Sequence, residues 1–179
     1  MKTAGPATLL ARIDAAESGI CQRLNALTVS APLRGVFRFA SRLGNGLVWY
    51  VLIIAWPVLR GPSGLRPAIV MACTGIAGVL VYAWLKRTFV RERPFVTHAG
   101  IERAGVPLDR YSFPSGHTLH AVSFTWQAVA HWGESGWVLV PLTTLIAGSR
   151  VVLGLHYPSD VLVGALLGGL LAQVGLALS

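Results

Sequence analysis

Two apolar runs constrain this chain before anything else: Ala68 to Leu85 and Val161 to Leu178 each pass without one charged side chain. Each comes close to the roughly 20 residues a helix needs to cross the hydrocarbon of a bilayer. Three further runs, Leu47 to Leu59, Thr118 to Trp132 and Trp137 to Ser149, are shorter or more polar but repeat the theme. The composition agrees, with 54% hydrophobic and 12% charged residues against about 25% charged in soluble domains. The pattern predicts an all-α, polytopic membrane helix bundle of about five transmembrane helices.

The start of the chain reads differently. Leu9, Leu10, Ile13, Ile20, Leu24 and Leu27 fall at helical spacing, with Arg12, Asp14, Glu17, Gln22 and Arg23 on much of the other face. Such a pattern predicts an amphipathic helix lying in the membrane interface, although a helix packed on a core would show it too. It lacks the ordered regions of a cleavable signal. The expected organisation is a single domain over 1–179, with an interfacial segment at 1–46 and the transmembrane bundle at 47–179.

The charge balance is basic, 15 Lys and Arg against 7 Asp and Glu for a formal net charge of +8. Six of those cations, Lys86, Arg87, Arg91, Arg93, Arg103 and Arg110, share the one long hydrophilic segment from Lys86 to Phe113. A nucleic-acid module would interleave aromatics with such charges in a soluble fold. No nucleic-acid partner is therefore expected, and anionic lipid or phosphate fits better. Cys21 and Cys73 lie in different kinds of segment, so no disulfide is expected.

Alternation of the spans then places the end of the second, the start of the third, the end of the fourth and the start of the fifth on one side of the membrane. Lys86, Arg93, Ser115, His117, Ser149, Arg150, His156 and Asp160 would gather there. Ionisable groups at membrane depth are costly, so their convergence marks a candidate site. Lys86 and Arg93 are seven residues apart, two helical turns or about 10 Å along one face if the helix continues, before Pro94 ends it. In "YSFPSGHTLH" a Pro-Ser-Gly break precedes His117, and a helix N-terminus with free N–H groups and a small residue is a natural anion site. Asp160 follows His156 by four residues, and a carboxylate beside an imidazole can fix its tautomer and raise its basicity.

Taken together, Lys86-x6-Arg93-Pro94, Pro114-Ser115-Gly116-His117 and Ser149-Arg150-x5-His156-x3-Asp160 resemble the three-part signature of the type 2 phosphatidic acid phosphatase superfamily, which also holds vanadium haloperoxidases and bacterial acid phosphatases. The resemblance covers residues 86–160. The stretch "FASRLGNGLVWY" is also similar to small bacterial members. The resemblance implies a lipid phosphatase in which His156 is the nucleophile and Asp160 orients its ring. His117 would be the general acid and then base, while Lys86, Arg93, Ser115, Gly116 and Arg150 would hold the phosphoryl group. It implies no metal and no cofactor, and as partners the bilayer and a lipid phosphate. That substrate would be undecaprenyl pyrophosphate first, then phosphatidic acid or phosphatidylglycerol phosphate. The alternatives are a vanadate-dependent haloperoxidase and a non-catalytic lipid-binding protein.

Other polar residues carry plainer expectations: packing for His120, a loop for His98, an interface for His131, solvent or headgroup contacts for Arg87, Arg91 and Arg103, and close helix packing for Gly164 and Gly168. Counting charges by the positive-inside rule would turn the site to the cytoplasm. Some of those charges serve phosphate, however, and the resemblance implies a site on the outer face of the inner membrane.

Overall fold

The computed structural model describes residues 6–179, with side chains from residue 12 onward, so Leu9 and Leu10 lie outside the described side chains. Among the described residues every regular element is helical: α1 (Pro6–Asn25), α2 (Ala31–Leu43), α3 (Leu47–Arg60), α4 (Leu65–Phe89), the single turn α5 (Pro94–Thr97), α6 (Gly116–His131), α7 (Gly136–Val152) and α8 (Pro158–Leu178). Three helical stretches, Leu47–Thr97, Gly133–Val152 and Pro158–Leu178, are long and apolar enough to cross a membrane, with mean hydropathies of 2.1, 1.3 and 2.2.

The apolar surface confirms that reading from the outside. Leu162, Leu166, Leu170 and Val174 follow one another at helical spacing along α8, and all are exposed. Burying such a side chain is worth about 1.5–3 kcal/mol, so a stripe of this kind is stable against lipid and not against water. Ile69, Ile76 and Leu80 form a comparable exposed row on α4.

α6 stands apart from these. Expected as a span, it has 16 residues, about 24 Å at 1.5 Å per residue, and is the most enclosed helix of the bundle. Thr125 Oγ1 lies 2.6 Å from Thr143 Oγ1 of α7, and Gln127 Nε2 donates to Ser123 O at 3.3 Å while its Oε1 is buried without a hydrogen-bond partner. On the α8 side, a Cβ at Gly164 would stand 2.6 Å from the carbonyl oxygen of Ser115, and one at Gly168 would collide with that of Leu119. Glycine at these positions lets α8 lie directly on the α6 backbone, the close packing expected of them. Trp49, Met71, Phe124 and Ile146, from α3, α4, α6 and α7, fill the core beneath, and Trp49 meets Phe124 with ring centroids 5.5 Å apart.

The N-terminal helix combines an apolar face open at some positions with a docked polar face. Its buried positions are Cys21 and Asn25; Asp14 and Glu17 are half-buried, and of the apolar face Ile13 and Leu24 are half-buried while Ile20 and Leu27, the latter just past the helix, are exposed. The helix is docked by polar contacts: the Asn25 amide donates to Glu102 O and Val152 O, both at 3.0 Å, and its Oδ1 accepts from Glu102 N at 2.8 Å. Burial first, then the Glu17 carboxylate, pushes the Cys21 thiol up to about 12. Cys21 is free and buried, and Cys73 is free and exposed.

Candidate active site

The C-terminal ends of α4 and α7 and the N-terminal ends of α3, α6 and α8 meet at one end of the bundle, as alternation of the spans requires. A cavity of about 470 Å³ opens there, lined by Lys86, Arg93, Gly116, His117, Arg150 and His156 at its polar end. It continues between α3 and α4 past Ile53, Ile54, Ile76 and Val79. Its walls are therefore cationic at one end and aliphatic at the other.

Each cation is held differently. Lys86 is buried and donates to Tyr111 O at 2.6 Å while pairing with Asp109 at 3.0 Å. Arg93, just before the Pro94 turn, donates to Leu155 O at 2.6 Å and to Asp109 Oδ1 at 2.8 Å. Arg150, almost fully buried, donates to Ser41 Oγ, and its Nε has no hydrogen-bond partner. Its side chain also lines the cavity. Asp109, on the loop before α6, bridges Lys86 and Arg93 and was not singled out in the sequence.

His156 is 2% exposed in the short connection between α7 and α8. Its Nε2 lies 3.2 Å from Arg93 Nη1, and its Nδ1 lies 3.5 Å from Asp160 Oδ2 with no closer partner. Burial, reinforced by the positive charges of Arg93 and Arg150, pushes the ring well below the ordinary imidazole range. The neutral form is therefore favoured at neutral pH, and a nucleophilic nitrogen must be neutral to have a lone pair. Asp160, in the first turn of α8, accepts the Tyr157 N–H at 2.8 Å and sits behind the imidazole, outside the cavity wall.

His117 opens α6, with Nε2 2.7 Å from Asn45 Oδ1. Asn45 belongs to the Gly44-Asn45-Gly46 turn between α2 and α3, where a Cβ on Gly44 would stand 3.0 Å from the His117 ring. The sequence signalled that turn only through its glycines. Ser115 differs from expectation in detail: its hydroxyl faces Thr118 Oγ1 at 3.0 Å and caps α6 by accepting from Thr118 N, because an N-cap oxygen is drawn to the unpaired N–H groups of its own helix. Ser149 likewise turns back, donating to Ile146 O at 2.6 Å.

Arg91 requires a correction. Expected at solvent or headgroups, it is 2% exposed and pairs with Asp14, Glu17 and Asp160, because three separate segments deliver carboxylates to it. Arg87 and Arg103 are exposed as expected. The ring nitrogens of His120 face Gly116 O at 2.9 Å and Gly75 O at 3.1 Å, a packing role that also puts its ring on the cavity wall.

A buried histidine, a second histidine and three buried cations line the polar end of a cavity that continues into an apolar channel, a setting suited to the membrane-bound phosphatases of phosphorylated lipids. The chain belongs to the PAP2 superfamily, whose family model matches residues 66–179. It is 34% identical over 117 residues to the undecaprenyl-diphosphatase of Bacillus subtilis, covering 65% of this chain and 60% of that protein. It is 30% identical to the decaprenylphosphoryl-5-phosphoribose phosphatase of Mycobacterium tuberculosis, over 76% of this chain and 75% of the relative. The solved structure of Aquifex aeolicus LpxE superposes with a TM-score of 0.77 at 25% identity, over 89% of this chain and 93% of the other.

Proposed function

We propose that this protein is an integral-membrane phosphatase that removes a phosphoryl group from a lipid diphosphate or monophosphate through a phosphohistidine, without a metal ion. The observation that carries the reading is the single cavity in which His156, His117 and the three cations stand at the foot of an apolar channel. His156 Nε2 attacks phosphorus, forming the N–P bond as the bond from phosphorus to the lipid oxygen breaks. His117 gives that oxygen a proton. Water then attacks phosphorus, His117 takes its proton, and the N–P bond breaks to restore His156. Asp160 Oδ2 faces Nδ1 and balances the charge the ring acquires. Lys86, Arg93, Arg150 and the Gly116 N–H hold the phosphoryl oxygens where charge develops, and Ser115 contributes by fixing the start of α6.

A polyprenyl diphosphate is the first choice of substrate, supported by the names of the relatives, with phosphatidic acid and phosphatidylglycerol phosphate next. The chain works as one phosphatase domain over 1–179. Five helices, α3, α4, α6, α7 and α8, cross the membrane, and residues 1–46 lie against the interface on the site side. In detergent, purified protein is expected to release phosphate from undecaprenyl diphosphate with or without a chelator, and vanadate is expected to inhibit it. A strict requirement for a divalent ion, or no hydrolysis across a panel of lipid phosphates, would overturn the reading.

The site faces the outside of the inner membrane and Ser179 the cytoplasm. Val106, on the loop beside the site, is 82% exposed and makes a suitable probe. Val106→Cys in a Cys73→Ser background should react with a membrane-impermeant maleimide in spheroplasts that keep the inner membrane intact. Labelling only after that membrane is permeabilised would reverse the orientation.

A further inference from the structure

The phosphohistidine scheme accounts for the cavity wall but leaves a buried ionic cluster behind it unexplained. Arg91 lies two residues before Arg93 yet points away from the cavity. Its Nη1 binds Asp160 Oδ1 and donates to Ser159 Oγ at 2.7 Å. Its Nη2 meets Asp14 at 2.6 Å and Glu17 at 3.0 Å, and its Nε donates to Asp14 at 2.8 Å. The guanidinium also stacks 4.1 Å from the centroid of Tyr157. Glu17 reaches past it to α8, accepting from Ser159 N and Ser159 Oγ, both at 2.7 Å.

This arrangement has a direct bearing on Asp160. That carboxylate is fully buried, and its Oδ2 has only the Tyr157 N–H and the His156 ring edge to face. Its rotation is set by whatever grips the other oxygen, and that is Arg91. A lone Arg91–Asp160 pair would already cancel in charge. Asp14 and Glu17 are thus not needed to neutralise Asp160. What they add is a second anchor that stops the guanidinium from turning, together with a surplus of negative charge behind a ring that becomes positive in the reaction.

We propose that Arg91 is a positioning residue, clamped by Asp14 and Glu17 of α1, that holds Asp160 Oδ2 against His156 Nδ1, so that the N-terminal helix is part of the catalytic apparatus. The inference rests on the phosphohistidine reading given above. Lysine cannot substitute fully, because one ammonium lacks the planar fork that spans Asp160 and Asp14 at once.

Purified variants Arg91→Gln, Arg91→Lys and the pair Asp14→Asn with Glu17→Gln can be compared with His156→Ala on undecaprenyl diphosphate and on phosphatidic acid. Arg91→Gln is expected to lower kcat about 100-fold while KM and vanadate inhibition stay within about 3-fold, the mark of an interaction that matters in the transition state. Arg91→Lys should recover part of the loss, and the α1 pair should cost about 10-fold in kcat. On an Asp160→Asn background, Arg91→Gln should add no more than about a 2-fold loss, since the group through which it acts has been neutralised. A multiplicative loss in that double variant, or an Arg91→Gln enzyme with kcat near the parent's, overturns the proposal. So does a parallel change in KM, vanadate inhibition and thermal unfolding, which is what a purely structural role produces. Should Arg91→Gln fail to fold, Arg91→Lys and the α1 pair decide by the same criteria. An active His156→Ala would bring down the phosphohistidine reading and this inference together, whereas an inert His156→Ala beside an unimpaired Arg91→Gln would sink this inference alone.

Discussion

Replacing His156 with Ala is expected to lower phosphate release on the order of 10⁴-fold or more, the scale on which hydrolases lose activity without their nucleophile. The substitution removes a buried ring but leaves Lys86, Arg93 and Arg150 in their own backbone and side-chain contacts. Binding of vanadate or phosphate should accordingly survive in weakened form. Phosphoprotein trapped by rapid alkaline quenching with a ³²P-labelled substrate should carry base-stable, acid-labile label in the parent and none in the variant. Near-normal turnover by His156→Ala would leave the assignment without a nucleophile.

The second large effect depends on the substrate. His117→Ala should slow hydrolysis of phosphatidic acid on the order of 10²–10⁴-fold, the range of a lost general acid, because its leaving group is an alkoxide that departs poorly without a proton. A polyprenyl diphosphate leaves as a phosphate monoester, a far weaker base, so the same variant should lose much less on it. The ratio of the two losses is the quantity to measure, using both lipids in the same detergent. Equal losses would mean that His117 holds the phosphoryl group instead of protonating the leaving oxygen. Asn45→Ala, which frees the His117 ring from its 2.7 Å contact, should shift the ratio in the same direction by a smaller amount.

Much of this site was legible in the chain because its motifs are local. Lys86 and Arg93 share one segment, Gly116 and His117 are adjacent, and His156 and Asp160 are four apart. Helix ends bring the three groups together once the spans alternate. The runs at Ala68 and Val161 became α4 and α8 for the same reason, since length and apolarity alone specify a crossing helix. The role of α1 was not legible. In a membrane protein both core and lipid are apolar, so the helical pattern of Ile20 and Leu27 cannot say which of the two they face, and here they face outward. Arg91 was misread because its partners are remote, 77 residues away at Asp14 and 69 at Asp160. Asn45 and Asp109 reach the site from turns and loops, where no periodicity marks a side chain's direction.

The contact from Glu17 to Ser159 closes a loop of 142 residues, and it has a consequence for how the enzyme comes into being. A ribosome delivers α1 well before α8, at about 5–20 residues per second. The histidine expected to attack phosphorus and the carboxylate behind it therefore emerge long after the helix that braces them. Until then a nascent chain displays Lys86 of α4 without the histidine and the carboxylate that share its end of the bundle. Hydrolytic competence would arrive in one step, when α8 enters the bilayer and meets α1.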